Sequence, residues 1–309
     1  MSIADRLPRP WTLWKAARPS QILLILLVYA LGIGIGVATS SFPGPEEFRT
    51  RSQLVLNGAF GVFPLVLVAV SIHYANEYTD HETDRLTDRT PFSGGSGALE
   101  RTGVSRKILS IGAVSALGLA FLSAVGMHFT LGLPTDALIL LSLIAIGGLA
   151  YSLPPVAFIR RGLGEVVNAI LGGILLPLYG VAIVHTPTAD AALATVPFTL
   201  VIVCNLLATH WPDRTADAVV GKRTLAVRWS PRDLRTAYAT LSVLAIALTL
   251  VLTGRVLPIP VAAAHLPAPP FLVWGGIVLS RRRSPFPAVA AMVILAASTT
   301  IGWWWIAFS

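Results

Sequence analysis

The sequence predicts an all-α, polytopic membrane protein: nine transmembrane helices around a central cavity open to the cytoplasmic side. Three observations carry this. Hydrophobic residues make up 54% of the 309 and charged ones only 12%, against about 25% charged in a soluble domain. Mean hydropathy is +0.73. Apolar stretches near the ~20 residues that a helix needs to cross the hydrocarbon recur along the chain, and their packing, rather than one globular interior, forms the core.

In chain order, residues 1–20 are polar, with Arg6, Arg9, Lys15 and Arg18 beside Trp11 and Trp14. That mixture suits an interfacial segment lying against headgroups. The spans follow at 21–39, 55–75, 108–129, 135–152, 164–184, 191–209, 236–254, 261–279 and 286–308. The first apolar run, Ile22 to Ala38, exceeds the ~7–15 residues of a secretory h-region and is read as a retained span. His265, Pro267, Pro269 and Pro270 interrupt the eighth, so its start is expected to be irregular or re-entrant. The whole chain, 1–309, reads as one membrane domain with two long motif-bearing loops, 76–107 and 210–235. Long loops without a domain of their own often act as lids. Cys204, the single cysteine, lies in an apolar run and excludes an internal disulfide.

Charge then sets orientation. Of 23 Lys and Arg, 20 fall in the N-terminal segment and in the connections after spans two, four, six and eight. Only Arg49, Arg51 and Arg255 fall on the other side. The positive-inside rule therefore places the N-terminus in the cytoplasm and the C-terminus across the membrane. The same distribution accounts for the net charge of +8 without a nucleic-acid partner.

Chemistry concentrates at two places. Asn76-Glu77-Tyr78-Thr79-Asp80-His81-Glu82-Thr83-Asp84 closes the second apolar run, and five acids fall within twelve residues here, out of 15 in the chain. Asn76, Asp80 and Asp84 are four apart and share one helix face, drifting by roughly 40° per step. A row of carboxylates at a helix mouth repels itself unless a cation intervenes. Mg²⁺ commonly bridges one or two carboxylates to a phosphate. The competing reading is a solvated acidic cap. The second place, Trp211-Pro212-Asp213-Arg214-Thr215-Ala216-Asp217, repeats the four-residue spacing after the sixth span and leads into Gly221-Lys222-Arg223-Thr224-Leu225. Two such carboxylate faces across one cavity, with bridging metal and basic side chains, make a site for a diphosphate. Glu77, Glu82 and Asp88 are off the row or beyond it and read as loop acids. Lys222 can pin phosphate oxygens or belong to the positive-inside background; Arg89 stands equally open. His73 and His210 read as hydrogen-bonded interface histidines. Gly94-Gly95-Ser96-Gly97 is either a backbone N–H cradle for phosphate or a flexible loop. Gly221-Lys222 is not a P-loop, because Ala216 stands at that motif's first Gly and Arg223 at its Ser/Thr.

These residues resemble the motifs of the UbiA superfamily of intramembrane prenyltransferases. Asn76, Asp80 and Asp84 match its N-x-x-x-D-x-x-x-D, and Asp213 and Asp217 with Gly221, Lys222, Thr224 and Leu225 match its D-x-x-x-D and G-K-x-T-L. Ala17-Arg18-Pro19, Gly94–Gly97, Tyr151-Ser152-Leu153-Pro154-Pro155 and Arg161-Gly162-Leu163-Gly164-Glu165 agree as well. Gly94–Gly97 and the stretch from Tyr151–Pro155 to Arg161–Glu165 look most like the 1,4-dihydroxy-2-naphthoate polyprenyltransferase branch. The resemblance spans roughly residues 15 to 305. One departure is that the nearest Asn before the second Asp pair is Asn205, eight positions ahead of Asp213, with Thr209-His210-Trp211-Pro212 intervening.

The resemblance implies Mg²⁺-dependent transfer of a prenyl group from its diphosphate to an aromatic acceptor, within the lipid bilayer. It implies Asn76, Asp80, Asp84, Asp213 and Asp217 as metal ligands, with Asp84, Asp213 and Lys222 in catalysis. Asn76, Arg89, Tyr151, Arg161 and Lys222 are the substrate-binding set. Dihydroxynaphthoate, and so menaquinone formation, is the first acceptor it suggests. Two other functions stay open: a membrane terpene cyclase of the same fold, and a cation-coupled transporter. Transporter sites usually sit at the midplane on broken helices, whereas these acids sit at helix ends.

Overall fold

A computed structural model describes residues 8–40, 47–86, 92 and 94–309, with the backbone alone for 47–53. The described chain is helical throughout. Helix α1 (Pro8–Ala16) lies ahead of a bend at Arg18. The apolar α2 (Pro19–Thr39) follows, with Pro19 at its first position, where the missing N–H costs nothing. Helix α3 (Glu47–Leu86) is the longest, and α4 (Ala98–Thr102) is a single turn. Then come α5 (Lys107–Leu131), α6 (Thr135–Ser152) and α7 (Gly164–Val184), the last with a π-helical turn at Leu171–Leu175. Helix α8 (Ala189–His210) precedes two short helices, α9 (Arg214–Val219) and α10 (Leu225–Arg228). The chain ends with α11 (Pro231–Leu252), α12 (Ile259–Ala263), α13 (Pro269–Val278) and α14 (Phe286–Phe308).

Among the described residues, eight helices are long and apolar enough to cross a membrane, and they correspond to eight of the nine expected spans. This is a multi-pass membrane protein. The expected eighth span, 261–279, is the exception. It comes as α12 and α13 with a turn between them, where Pro267, Pro269 and Pro270 remove the N–H groups that a continuous helix needs. Helix α3 departs from expectation in the other direction. It runs past the apolar run to Leu86, so the first acidic motif is helical rather than part of a loop.

Lipid is as apolar as the side chains, so close packing and hydrogen bonds drive helix association here. Helices α2 and α7 meet through glycine. Gly32 and Gly36 lie four apart on α2; a Cβ on Gly32 would strike the Pro177 carbonyl, and one on Gly36 would strike Val184. Gly180 of α7 meets the backbone of Tyr29 and Ile33 in the same way. The buried phenols of Tyr29 and Tyr179 donate to the Gly58 and Gly61 carbonyls of α3 at 2.7 and 2.8 Å. The Trp304 indole donates to Ala30 O at 2.9 Å and ties α14 to α2. Gly32→Val should therefore lower the melting temperature and the monodisperse yield in detergent, because overpacking costs about 1–3 kcal/mol or more. Gly118→Val, where a Cβ meets nothing within 4 Å, should change neither.

A smaller core docks α1 beside the first motif. Ala16, Ala17, Tyr74, Leu99, Leu109 and Ala113 are buried together. Tyr74 donates its phenol to Leu13 O at 3.0 Å, and His73 Nδ1 lies 2.7 Å from Ala17 O. His73 is thus a hydrogen-bonded structural histidine.

Candidate active site

The last turns of α3 carry Asn76, Asp80 and Asp84 along one face, as their spacing requires. The second motif is built by α9. Asp213 precedes its first turn, and the Asp217 N–H donates to Asp213 O at 2.9 Å. The chain then reverses at Gly221, whose φ of +78° is one that a side chain disfavours. The Lys222 N–H donates to Asp217 O at 2.9 Å, which turns the lysine back over the motif it follows.

The two motifs meet at that lysine. Lys222 Nζ lies 3.0 Å from Asp80 Oδ1 and 3.4 Å from Asp217 Oδ1. Lys222 is 7% exposed and Asp217 4%. Burial pulls the Lys222 ammonium down, but Asp80 and Asp217 outweigh it and its pKa stands above the usual lysine value. Burial holds the Asp217 carboxyl above the usual carboxylate range, with Lys222 opposing. Residues 137 positions apart, Asp80 and Asp217, thus share one cation.

Two buried glutamates brace this arrangement. Glu77, expected to be a loop acid, is 4% exposed. It accepts from the Arg18 guanidinium at 2.8 Å and, at 3.1 Å, from the Ser96 N–H; the Ser96 hydroxyl donates to it as well. Within Gly94–Gly97, the Ser96 N–H is therefore committed to Glu77 instead of a phosphate. Gly95 of the same loop has φ +69°, and a Cβ there would collide with the Asp84 carboxylate. The loop therefore seats directly on Asp84. Glu82, in contrast, is an exposed acid 3.9 Å from Arg106.

Glu165 plays the corresponding part for the second motif. It is 1% exposed, and its Oε1 lies 3.0 Å from His210 Nδ1 and accepts from the Leu225 N–H at 2.7 Å. One carboxylate thus clasps both ends of the segment that holds Asp213, Asp217 and Lys222. Glu165→Ala should lower the melting temperature and speed hydrogen exchange across residues 211–224, because each buried polar group left unpaired costs about 1–3 kcal/mol. The control Glu82→Ala should do neither.

The other predicted residues are placed as follows. Tyr151 lies at the end of α6, and its ring packs beside Gly164 at the start of α7. Asn76 is partly buried, and its Oδ1 is a buried oxygen with no hydrogen-bond partner among the described residues. Arg161 is exposed and donates to Pro155 O at 2.8 Å. Its neighbour Arg160 donates to Val220 O at 3.0 Å, beside the turn at Gly221. Arg89 and Asp88 lie outside the described residues.

No curated protein matches the sequence. Among solved structures, a UbiA homologue from Archaeoglobus fulgidus bound to GPP and Mg²⁺ superposes with a TM-score of 0.66 at 18% identity, covering 96% of this chain and 100% of that one. The same homologue bound to DMAPP and Mg²⁺ gives 0.64 at 16% identity, over 94% and 98% of the two chains. The apo structure of a UbiA homologue from Aeropyrum pernix K1 gives 0.62 at 15% identity, over 90% of this chain and 97% of that one. These likenesses establish a shared fold. Residues 25–297 match the UbiA prenyltransferase family, and the chain belongs to that family.

Proposed function

We propose that the protein transfers a prenyl or polyprenyl group from its diphosphate to an aromatic acceptor in the membrane, with Mg²⁺ as cofactor. The observation that carries this is the meeting of Asp80 and Asp217 at Lys222. It joins two acidic motifs and a basic side chain in one place, the set that a metal-bound diphosphate demands. The solved Archaeoglobus fulgidus homologue holds GPP or DMAPP with Mg²⁺ on the same fold.

The residues present fit a hard divalent cation. Four Asp carboxylates and the unpartnered Asn76 Oδ1 offer only oxygen donors. Among the described residues, no three acid, His or Cys side chains close on one point. That agrees with a cation shared with substrate, since Mg²⁺ is usually held by one or two carboxylates plus phosphate oxygens and waters. Bound there, it offsets the diphosphate's charge and stabilises the leaving group. In this reading Asn76, Asp80, Asp84, Asp213 and Asp217 would hold such cations between them, with one or two carboxylates to each. Lys222 takes a phosphate oxygen, as a charge-assisted donor already directed to the site. Glu77 and Glu165 keep the two ligand faces in register. Tyr151 and Arg161 belong to the acceptor side, and Arg89 to the diphosphate.

For the acceptor we assign dihydroxynaphthoate, and so a step in menaquinone formation, on the match of Gly94–Gly97 and of Arg161–Glu165 to that branch. Purified protein given mixed prenyl diphosphates, Mg²⁺ and candidate aromatic acids should yield a product whose mass combines both parts. Diphosphate release without acceptor, with a cyclic hydrocarbon or alcohol in the extract, would replace transfer with cyclisation.

The site faces the cytoplasm in this reading, as does the N-terminus. Reporter fusions after Ser309 and within 85–106 should give opposite signals; the same signal from both would overturn the topology.

A further inference from the structure

The second motif has another neighbour. Trp211, Pro212, Arg214 and Thr215, interleaved with the Asp pair, line a cleft of about 490 Å³ with Ser280, Arg281, Arg282 and Arg283. Neither Asp213 nor Asp217 lines it, and four of its eight lining residues are arginine. We propose that this cleft is a phosphate-recognition site separate from the diphosphate site, and that its occupant is the headgroup of an anionic phospholipid.

Three observations support it. First, no carboxylate lines the cleft among the described residues, and neither Arg281 nor Arg282 is ion-paired there. Guanidinium groups converging on a concave surface repel one another unless an anion joins them, and their planar forks match phosphate oxygens in pairs. Second, the walls are held. The Arg214 guanidinium lies on the Trp211 ring, 3.6 Å from its centre, and donates to Trp211 O at 2.8 Å. Trp211 is itself 9% exposed, so this stack rests on a buried platform. On the opposite wall, Ser280 holds φ +63°, a conformation that L residues seldom adopt, and Arg235 donates to its hydroxyl at 2.7 Å. The Arg281 and Arg282 N–H groups both return to Val278 O, which fixes the turn that presents their side chains. Third, the cleft lies where α8 and α13 end, at His210 and Val278. The ends of apolar helices are the depth at which lipid phosphates lie, and basic residues there attract anionic headgroups.

An occupant would touch Arg214, the residue between Asp213 and the rest of α9. Headgroup binding is thereby coupled to the helix that carries Asp217. A phosphoryl group can also come from solution as phosphate or diphosphate, and the test separates the two sources.

The full chain is placed in nanodiscs of phosphatidylcholine, alone or with phosphatidylglycerol, and the retained lipid is counted by native mass spectrometry. A parallel arm titrates inorganic phosphate and diphosphate into the phosphatidylcholine discs and follows thermal stability. Wild type should retain phosphatidylglycerol over phosphatidylcholine. The double variant Arg281→Gln/Arg282→Gln, both exposed positions, should lose that preference. Arg232→Gln, an exposed arginine outside the cleft, should keep it. Equal retention by the double variant and wild type overturns the proposal, as does equal loss in Arg232→Gln. Stabilisation of wild type but not of the double variant by inorganic phosphate or diphosphate, with no lipid preference, overturns the lipid assignment in favour of a soluble anion.

Discussion

Asp84→Asn and Asp217→Asn should each remove almost all turnover while leaving an inserted, folded protein. Asparagine keeps the size of aspartate and deletes its charge, so the substitution isolates the ligand role. Asp84 lies directly beneath Gly95, and Asp217 is 3.4 Å from the Lys222 ammonium. Both therefore sit in fixed surroundings, where a lost charge is not made good by water. Removing one preorganised electrostatic contact to a transition state costs ~10²–10³-fold in kcat, and a metal ligand should cost at least that. The measurement is the rate of product formation at saturating donor over a range of Mg²⁺, with detergent elution profile and melting temperature confirming the fold. Wild-type turnover in either variant would remove that Asp pair from the catalytic machinery.

Lys222→Met has the next largest expected effect, and it acts twice. The ammonium is the positive charge between Asp80 and Asp217. Methionine fills the volume and leaves two carboxylates facing each other, one of them 4% exposed. Removing one partner of a buried ion pair typically costs ~3–5 kcal/mol, so the melting temperature should fall. Mg²⁺ with a diphosphate should restore part of the loss by supplying the missing charge. The second effect is on donor binding. A charge-assisted hydrogen bond is worth ~1.5–3 kcal/mol, so the KM for the prenyl diphosphate should rise roughly tenfold or more while the acceptor KM stays nearly constant. An unchanged donor KM would return Lys222 to the general positive charge of this membrane face.

What could be read in advance, and what could not, follows from the range of the interactions. Spans are local in sequence, so hydropathy locates seven of them within about five residues and the start of the apolar part of α3, which runs on to Leu86; the prolines near 267–270 announce the break in the other. The Asp pairs were visible because four-residue spacing is also local. Glu77 has nothing near it in sequence that distinguishes it from Glu82. Its partners are Arg18 and Ser96, 59 and 19 positions away. Glu165 stood inside a quoted motif, but its hydrogen bonds reach 45 and 60 positions ahead to His210 and Leu225. Lys222 was placed near a phosphate by its motif; that it would bridge both Asp faces depends on a turn at Gly221 and on α3, elements no local pattern connects. The signal that could have found the glutamates is scarcity: in a chain with 15 acids, one adjoining a membrane helix must be solvated, paired or functional.

The reach of α3 has a consequence for kinetics. Its forty residues make a rod of about 60 Å, twice the ~30 Å of hydrocarbon. Asp84 stands nine residues beyond Ala75, where the apolar run stops, or ~14 Å further along the axis. In the proposed reaction the chemistry is therefore carried out of the oil and into the layer where ions and solvent are present, while the tail of a polyprenyl substrate stays dissolved in the sheet below. Such a substrate reaches the enzyme by lateral diffusion in two dimensions. Its effective concentration is then a mole fraction in the bilayer, so adding inert lipid at constant total substrate should slow the reaction, and adding water should not.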